Sequence, residues 1–509
     1  MTWRLRATLC GVTWLALALR LPGLFANTFA ADEALFASWA RWIAVWRDPL
    51  LQWQPVDKPP LLFYAQALFY PLLGPVTWAA RLPNLLASLL LVPLVGVWAW
   101  QLYRRQETAV SITILAALFV ALSPLAVQFS ATAFIDPLLV FWLTAAVVQM
   151  PRRTAVSGLL FGLALATKYQ AVLYAPLLVG FAWRWGWTWP QWRRWLRGLA
   201  PVLAALLLWD VARAGADGLW SAQMQNYGGL RLIWSWELWP RALAWLNLGR
   251  WFWGNGWLFA FFGVGLLWLY WRTATGADGD KRTRADVLLL LFLPAYALLH
   301  WLLAIPIWDR YLLPLLPLIA LLTARMASSI VNRQSSIVNR QSSIVNRQSL
   351  FFPLVVALLL LPGAWGGMHG RFPIGGQRTA DQGAEQVAAY LADAPYGTVL
   401  YDHWWSWQWR YHLFDRRVYV SWMPHPAALT ADLRAFGDDG AARYLALPTT
   451  AVAPTAVAPT SVAPTSVAPT AVALPWQRAV TAAGFRLSPE FTAGEITLYR
   501  IYIPTYNKP

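Results

Sequence analysis

Five short stretches of this sequence place acids and cations where they could act on an ionic substrate beside apolar runs. The first is Ala30-Ala31-Asp32-Glu33-Ala34, adjacent carboxylates just beyond an initial apolar segment. Carboxylates at that position are costly unless solvated or used, although Asp and Glu in a helix's first turn also complement its dipole. The second is Asp57-Lys58-Pro59-Pro60. Two prolines hold the lysine on a stiff loop, suited to meeting an anion at headgroup height; the plainer role is a snorkelling interface lysine. The third, Asp136-Pro137, could be an ordinary helix cap with proline in the first turn. Lys168, in Leu165-Ala166-Thr167-Lys168-Tyr169, and Asp309-Arg310-Tyr311 complete the set. Together such groups suit one chemistry: a carboxylate as general base on a hydroxyl, and cations holding a phosphate leaving group whose charge grows in the transition state.

The elements that must position these residues are membrane spans. The chain has 509 residues, of which 58% are hydrophobic and only 12% charged, about half the charged share of a soluble protein. Its 36 Trp suit the headgroup boundary. Apolar stretches long enough to cross the bilayer fall near residues 7–25, 80–102, 108–124, 134–150, 155–168, 171–184, 198–214, 251–271, 286–305, 310–326 and 350–367, about eleven spans. Residues 59–73 are apolar but short, as in an interfacial or re-entrant helix. The N-terminal run lacks a small-residue cleavage site and reads as a retained span.

Net charge is +17, yet the basic residues fall in short clusters between apolar runs, which argues for membrane topology and against nucleic acid. With a cytoplasmic N-terminus, Arg104-Arg105, Arg152-Arg153, Arg193-Arg194-Arg197, Arg272 with Lys281, Arg282 and Arg284, and Arg333, Arg340 and Arg347 all land inside. The five candidate stretches then share the outer face, which their separate local explanations do not require. A single cysteine, Cys10, excludes a disulfide framework.

Residues 1–367 therefore form an all-α polytopic membrane domain. The SSIVNRQ repeats make a cytoplasmic linker at 328–348, and 368–509 form a small α/β domain outside. In that domain residues 379–392 show helical spacing and 398–402, 417–422 and 494–502 alternate as strands. The VAPT repeat at 452–471 reads as a disordered, extended insert.

Taken in order, Asp32-Glu33, Asp57-Lys58-Pro59-Pro60, Ala80-Arg81-Leu82-Pro83-Asn84, Ile135-Asp136-Pro137, Gly162-Leu163-Ala164-Leu165-Ala166-Thr167-Lys168 and Arg310-Tyr311-Leu312-Leu313-Pro314-Leu315-Leu316-Pro317 resemble the GT-C superfamily of integral-membrane glycosyltransferases. The similar branch contains dolichyl-phosphate-mannose protein mannosyltransferases and the bacterial aminoarabinose transferases that modify lipid A, and the resemblance spans about residues 10–320. It implies that Asp32, with Glu33 beside it, is the catalytic acid of the first outer loop. It also implies that Lys58 contacts the donor phosphate beside Asp57, that Asp136 is a second acid near the sugar, and that Arg310 and Tyr311 lie near the lipid phosphate. Lys168 joins these as a substrate-binding cation. Many relatives place an Arg-Tyr pair after the acids, where this chain has Leu35-Phe36.

The expected function is transfer of a sugar from a polyprenyl-phosphate donor to a lipid, glycan or protein hydroxyl at the outer face of the inner or plasma membrane. A divalent metal ion is an open expectation, with Asp57 and Asp136 as its candidate ligands. His300, His369, His403, His412 and His425 show no ligand-like spacing, and His300 reads as a core histidine. A transporter or lipid flippase is the rival reading, predicting charges near the midplane and paired broken helices. A non-catalytic assembly factor is a third.

Overall fold

The computed structural model describes residues 1–214, 218–227, 231–275, 284–337, 345–437, 440–449 and 469–502. The chain divides into two compact units: residues 1–27 with 42–377, and residues 28–41 with 378–509.

The first unit is helical. Among the described residues, five helices are long and apolar enough to cross a membrane: Trp3–Ala26, Thr77–Tyr103, Trp189–Arg213, Ala285–Leu302 and Asp309–Ser329. Two bent pairs, 109–130 and 235–274, bring the number to seven by length and composition. Length and composition do not by themselves confirm the expected count of about eleven spans. The reason is physical: expected spans fold as 14-residue helices, Asp136–Gln149 and Thr154–Thr167, about 21 Å long at 1.5 Å per residue against a hydrocarbon layer of about 30 Å. Residues 59–73, expected as a short interfacial element, form the helices Leu61–Ala67 and Tyr70–Leu73. Between Thr154–Thr167 and the helix Ala175–Arg184 the chain tightens into a 3₁₀ turn, Tyr169–Tyr174, with Pro176 preset for the helical restart. The SSIVNRQ segment continues the helices Leu316–Ile337 and Val345–Met368; residues 338–344 lie outside the described residues, as do Lys281 and Arg282.

Polar groups buried between these helices fix their register. Arg20, fully buried, donates to Ser88 Oγ and to the main-chain carbonyls of Val120 and Ala121, each at 2.9 Å. Arg81 donates to Asn27 O at 2.7 Å, tying the helix Thr77–Tyr103 to the end of the first span. Asn84, one turn further on, donates to Thr132 O at 2.7 Å and Phe134 O at 2.5 Å. That pins the turn leading into Asp136. Away from these residues, Asp286 accepts from the Tyr103 hydroxyl at 2.5 Å and from Arg325 Nε at 3.2 Å.

The second unit contains a five-stranded sheet in the order β2-β1-β3-β5-β4. The strands are β1 Thr398–Asp402, β2 Val418–Trp422, β3 Arg443–Pro448, β4 Arg486–Ala493 and β5 Ile496–Tyr502. β2, β1 and β3 run parallel, while β5 pairs antiparallel with β3 and β4. Helices Ala384–Tyr390 and Ser406–His412 cover one face through Val387, Leu400, Trp409 and Leu498. Helices Pro426–Phe436 and Pro469–Ala482 cover the other through Leu429, Leu445, Trp476 and Val480. The three strands expected from alternation are present as β1, β2 and β5. The expected helix 379–392 is shorter, Ala384–Tyr390, because Gly383 at φ +112 starts it late. Of the VAPT repeat, residues 452–468 lie outside the described residues and Pro469–Ala471 open a helix.

Candidate active site

Most of the candidate residues belong to the first unit. Asp136 opens its helix without capping it: Ile135 occupies the cap position and makes no side-chain cap bond. Instead Lys168 Nζ, at the end of the helix Thr154–Thr167, donates to Asp136 Oδ1 at 2.6 Å. The other Asp136 oxygen is buried with no hydrogen-bond partner among the described residues. The lysine ammonium also lies 4.4 Å from the centre of the Tyr311 ring, a cation–π contact. Both Lys168 and Asp136 are buried. A buried ion pair is weak evidence for stability, since desolvation roughly cancels attraction; its presence asks for another reason.

Lys58 is also buried rather than snorkelling, and its ammonium pairs with Asp57. Arg310 and Tyr311 lie in a 3₁₀ turn, Asp309–Leu315. Asp309 orders that turn: one oxygen accepts from the Arg310 main-chain N–H at 2.8 Å and the other from Gly375 N–H at 2.7 Å. The Arg310 guanidinium lies between Phe134 and Trp308, 5.1 and 4.9 Å from the ring centres. Lys168 stands within Coulombic range of both Arg310 and Lys58. Three cations from three separate stretches of sequence thus converge, each lysine held by its own carboxylate.

Sequence reasoning missed what stands behind them. Gln170 donates to the Tyr296 hydroxyl at 2.5 Å, which donates in turn to Tyr311 O at 3.0 Å. His300 stacks on Tyr296 with ring centres 4.2 Å apart, and its Nδ1 lies 2.9 Å from Tyr296 O. Nδ1 must therefore carry the proton, leaving Nε2 to accept from Gln170 at 3.2 Å. His300 was expected as a core histidine and is buried; its ring also lies 5.9 Å from that of Tyr311. The i, i+4 spacing of Tyr296 and His300 on one helix was the available signal.

Asp32 and Glu33 belong to the second unit. Glu33 is buried and accepts from the Ala30 main-chain N–H at 3.1 Å, the return bond of a helix start; Asp32 is part-exposed. The Thr28 hydroxyl donates to Ala380 O at 2.7 Å, and Glu495 N–H donates to Gln382 O at 2.9 Å. These bonds tie the acidic segment and the β4–β5 turn to one short stretch, 380–382. Within that stretch Asp381 has a left-handed backbone, φ 56. Burial and the neighbouring Glu495, Glu33 and Asp32 push the Asp381 carboxyl up to about 7. Glu495 is likewise pushed up to about 7 by burial. Arg41, further along the first helix of this unit, donates to Tyr411 O and pairs with Asp415, both at 2.6 Å.

Among the described residues no three His, Cys, Asp or Glu converge as metal ligands, and Asp57 and Asp136 are already engaged by lysines.

Known structures share this architecture. ArnT from Cupriavidus metallidurans in the apo state superposes with TM-score 0.64 at 13% identity, over 96% of this chain and 97% of that one. The same protein bound to undecaprenyl phosphate gives 0.60 at 13% identity, over 99% and 98%. The chain has the fold of ArnT. The archaeal oligosaccharyltransferase AglB from Archaeoglobus fulgidus, in complex with an inhibitory peptide and a dolichol-phosphate, gives TM-score 0.52 at 11% identity, over 88% of this chain and 69% of that one. Residues 57–212 match the family model of dolichyl-phosphate-mannose-protein mannosyltransferase. No curated protein matches the sequence. The matched stretch contains Asp57, Lys58, Asp136 and Lys168.

Proposed function

We propose that this protein is a membrane glycosyltransferase that moves a sugar from a polyprenyl-phosphate donor to a hydroxyl of a lipid, glycan or protein acceptor. The reading places the reaction at the outer face, with the N-terminus cytoplasmic, as the arginine clusters require. The observation that carries it is the convergence of Lys58, Lys168 and Arg310 inside a membrane-embedded unit. Buried cations are expensive in such a place and mark a site for an anion. The undecaprenyl phosphate of ArnT and the dolichol-phosphate of AglB supply the class of anion.

In the proposed reaction the acceptor oxygen attacks the anomeric carbon as the bond from that carbon to the phosphate oxygen breaks, inverting the centre. Asp32 takes the hydroxyl proton, and polyprenyl phosphate leaves. Negative charge accumulates on the departing oxygen, and Lys58, Lys168 and Arg310 stabilise it more in the transition state than in the ground state. Asp57 and Asp136 hold the lysines in place when no phosphate is bound. Tyr311 supports Lys168 from beneath.

Membranes containing the chain and a radiolabelled polyprenyl-phosphate sugar test the reading. Label should move to acceptor with release of polyprenyl phosphate. Asp32→Asn should lower kcat about a hundredfold or more, and Lys58→Ala should lower kcat/KM by a similar factor. Full transfer in both variants would remove these assignments, and solute uptake without donor turnover would favour a transporter.

A further inference from the structure

We infer that the carboxyl edge of the parallel strands in the C-terminal unit is a saccharide-binding site that seats the sugar-bearing part of the acceptor. This rests on the glycosyltransferase reading for the word acceptor, but not for the binding itself. In open α/β sheets the crevice for a ligand opens at the carboxyl ends of the strands, where successive connections go to opposite sides. Here the chain leaves β1 for β2 on one side and returns to β3 on the other. The helix after β1 covers one face and the helix after β2 covers the opposite one.

Aromatic rings fill that crevice. Trp404 packs against both core layers at once. The His403 ring lies 4.9 Å from Trp404, 5.2 Å from Trp476 and 5.9 Å from Trp422, to which it is nearly parallel at 13°. Trp422 is 54% exposed, so one large indole face meets solvent. Its orientation is nonetheless fixed, because its ring N–H donates to His403 O at 3.2 Å. The loop beneath is fixed as well: Asp402 accepts from the main-chain N–H groups of Trp404 and Trp405 and from Ser406 Oγ at 2.9 to 3.2 Å. His403 Nδ1 lies 2.6 Å from Met423 O, so that nitrogen donates and Nε2 is the acceptor. A rigid apolar face with a placed hydrogen-bonding group beside it suits a ligand that is apolar on one side and hydroxylated at its rim. A sugar ring has that form.

The edge continues toward the acids. Tyr401 pairs with Leu445 and Pro448 with Ile496, so the carboxyl end of β1 and the start of β5 share one edge of the sheet, two strand spacings or about 10 Å apart. Glu495 immediately precedes β5, beside Asp381, with Asp32 and Glu33 in electrostatic range. A short saccharide on the rings would reach the acids with its hydroxyls.

The test is binding without donor. The full chain, in nanodiscs and free of glycosidic detergent, is applied to an immobilised array of bacterial surface oligosaccharides. The best-retained saccharide is then titrated by tryptophan fluorescence. Saturable binding is expected, weakened about tenfold by Trp422→Ala and largely kept by Trp422→Phe. Retention of no saccharide, equal affinity in Trp422→Ala, or displacement by decanol as effective as by free saccharide would each overturn the inference. Release of polyprenyl phosphate from a polyprenyl-phosphate sugar by the unmodified chain in its native membranes, which supply the acceptor hydroxyl, tests the donor reading separately. Saccharide binding with no such release would overturn that reading alone.

Discussion

The two units of this chain use charge in opposite ways. In the helical unit each buried lysine is matched by a carboxylate, Lys168 by Asp136 and Lys58 by Asp57. In the C-terminal unit the half-buried Asp381, beside other acids, and the buried Glu495 are pushed toward neutrality instead. The helical unit stores charge that an incoming anion can use, because replacing one counter-ion by another costs little desolvation. The other unit stores protons. The proposed transfer calls for both properties, a place for a phosphate and groups that exchange a proton with a hydroxyl.

The contrast predicts unequal consequences for single truncations. Asp136→Ala strands a buried ammonium, which costs about 3–5 kcal/mol when one partner of such a pair is removed. The thermal midpoint of the detergent-solubilised chain should drop by several degrees, and donor turnover should fall a hundredfold or more. A midpoint unchanged within a degree would mean that Lys168 finds another counter-ion, and the paired-charge description would fail.

A smaller effect concerns pH. A carboxyl whose folded pKa is raised to about 7 stabilises the fold fully only below its unfolded value of about 4. That contribution is lost as pH rises through 7, because the folded state must then release a proton it binds more tightly than the unfolded chain does. Limited proteolysis of the C-terminal unit in the full chain should accordingly be faster at pH 8.5 than at pH 6. Asp381→Asn with Glu495→Gln should flatten the difference. A profile equally steep in the double variant would place the titrating group elsewhere. The smallest effect is expected at Arg41, whose partner Asp415 has a side chain 59% exposed; Asp415→Asn should change the midpoint by less than about 1 kcal/mol equivalent.

How much of this was legible in the sequence depended on the kind of signal. Asp57-Lys58 and Asp136-Pro137 stood out because charge beside apolar runs is rare. Convergence of Lys58, Lys168 and Arg310 was not readable from spacing, since it depends on how helices pack. The ordered resemblance suggested it, and the packing of the helices brings the three together. Asn84 appeared only as part of a motif, and its work of pinning the turn before Asp136 needs coordinates. Strands β1, β2 and β5 showed alternation, whereas β3, Arg443–Pro448, is buried along its whole length and carries no period-two signal. The aromatic edge at His403, Trp404, Trp422 and Trp476 was invisible because its members are scattered and meet only through the sheet's topology. Helix length alone does not count the spans, because short helices such as Asp136–Gln149 merge with their flanks in a hydropathy reading.

The most direct test of the central claim is whether the three converging cations recognise a phosphate. The purified full chain in nanodiscs should bind undecaprenyl phosphate at least about tenfold more tightly than undecaprenol, since a charge-assisted contact contributes about 1.5–3 kcal/mol. Lys58→Ala combined with Arg310→Ala should erase that preference while leaving undecaprenol binding in place. Equal affinity of the unaltered chain for the alcohol and the phosphate would contradict the account.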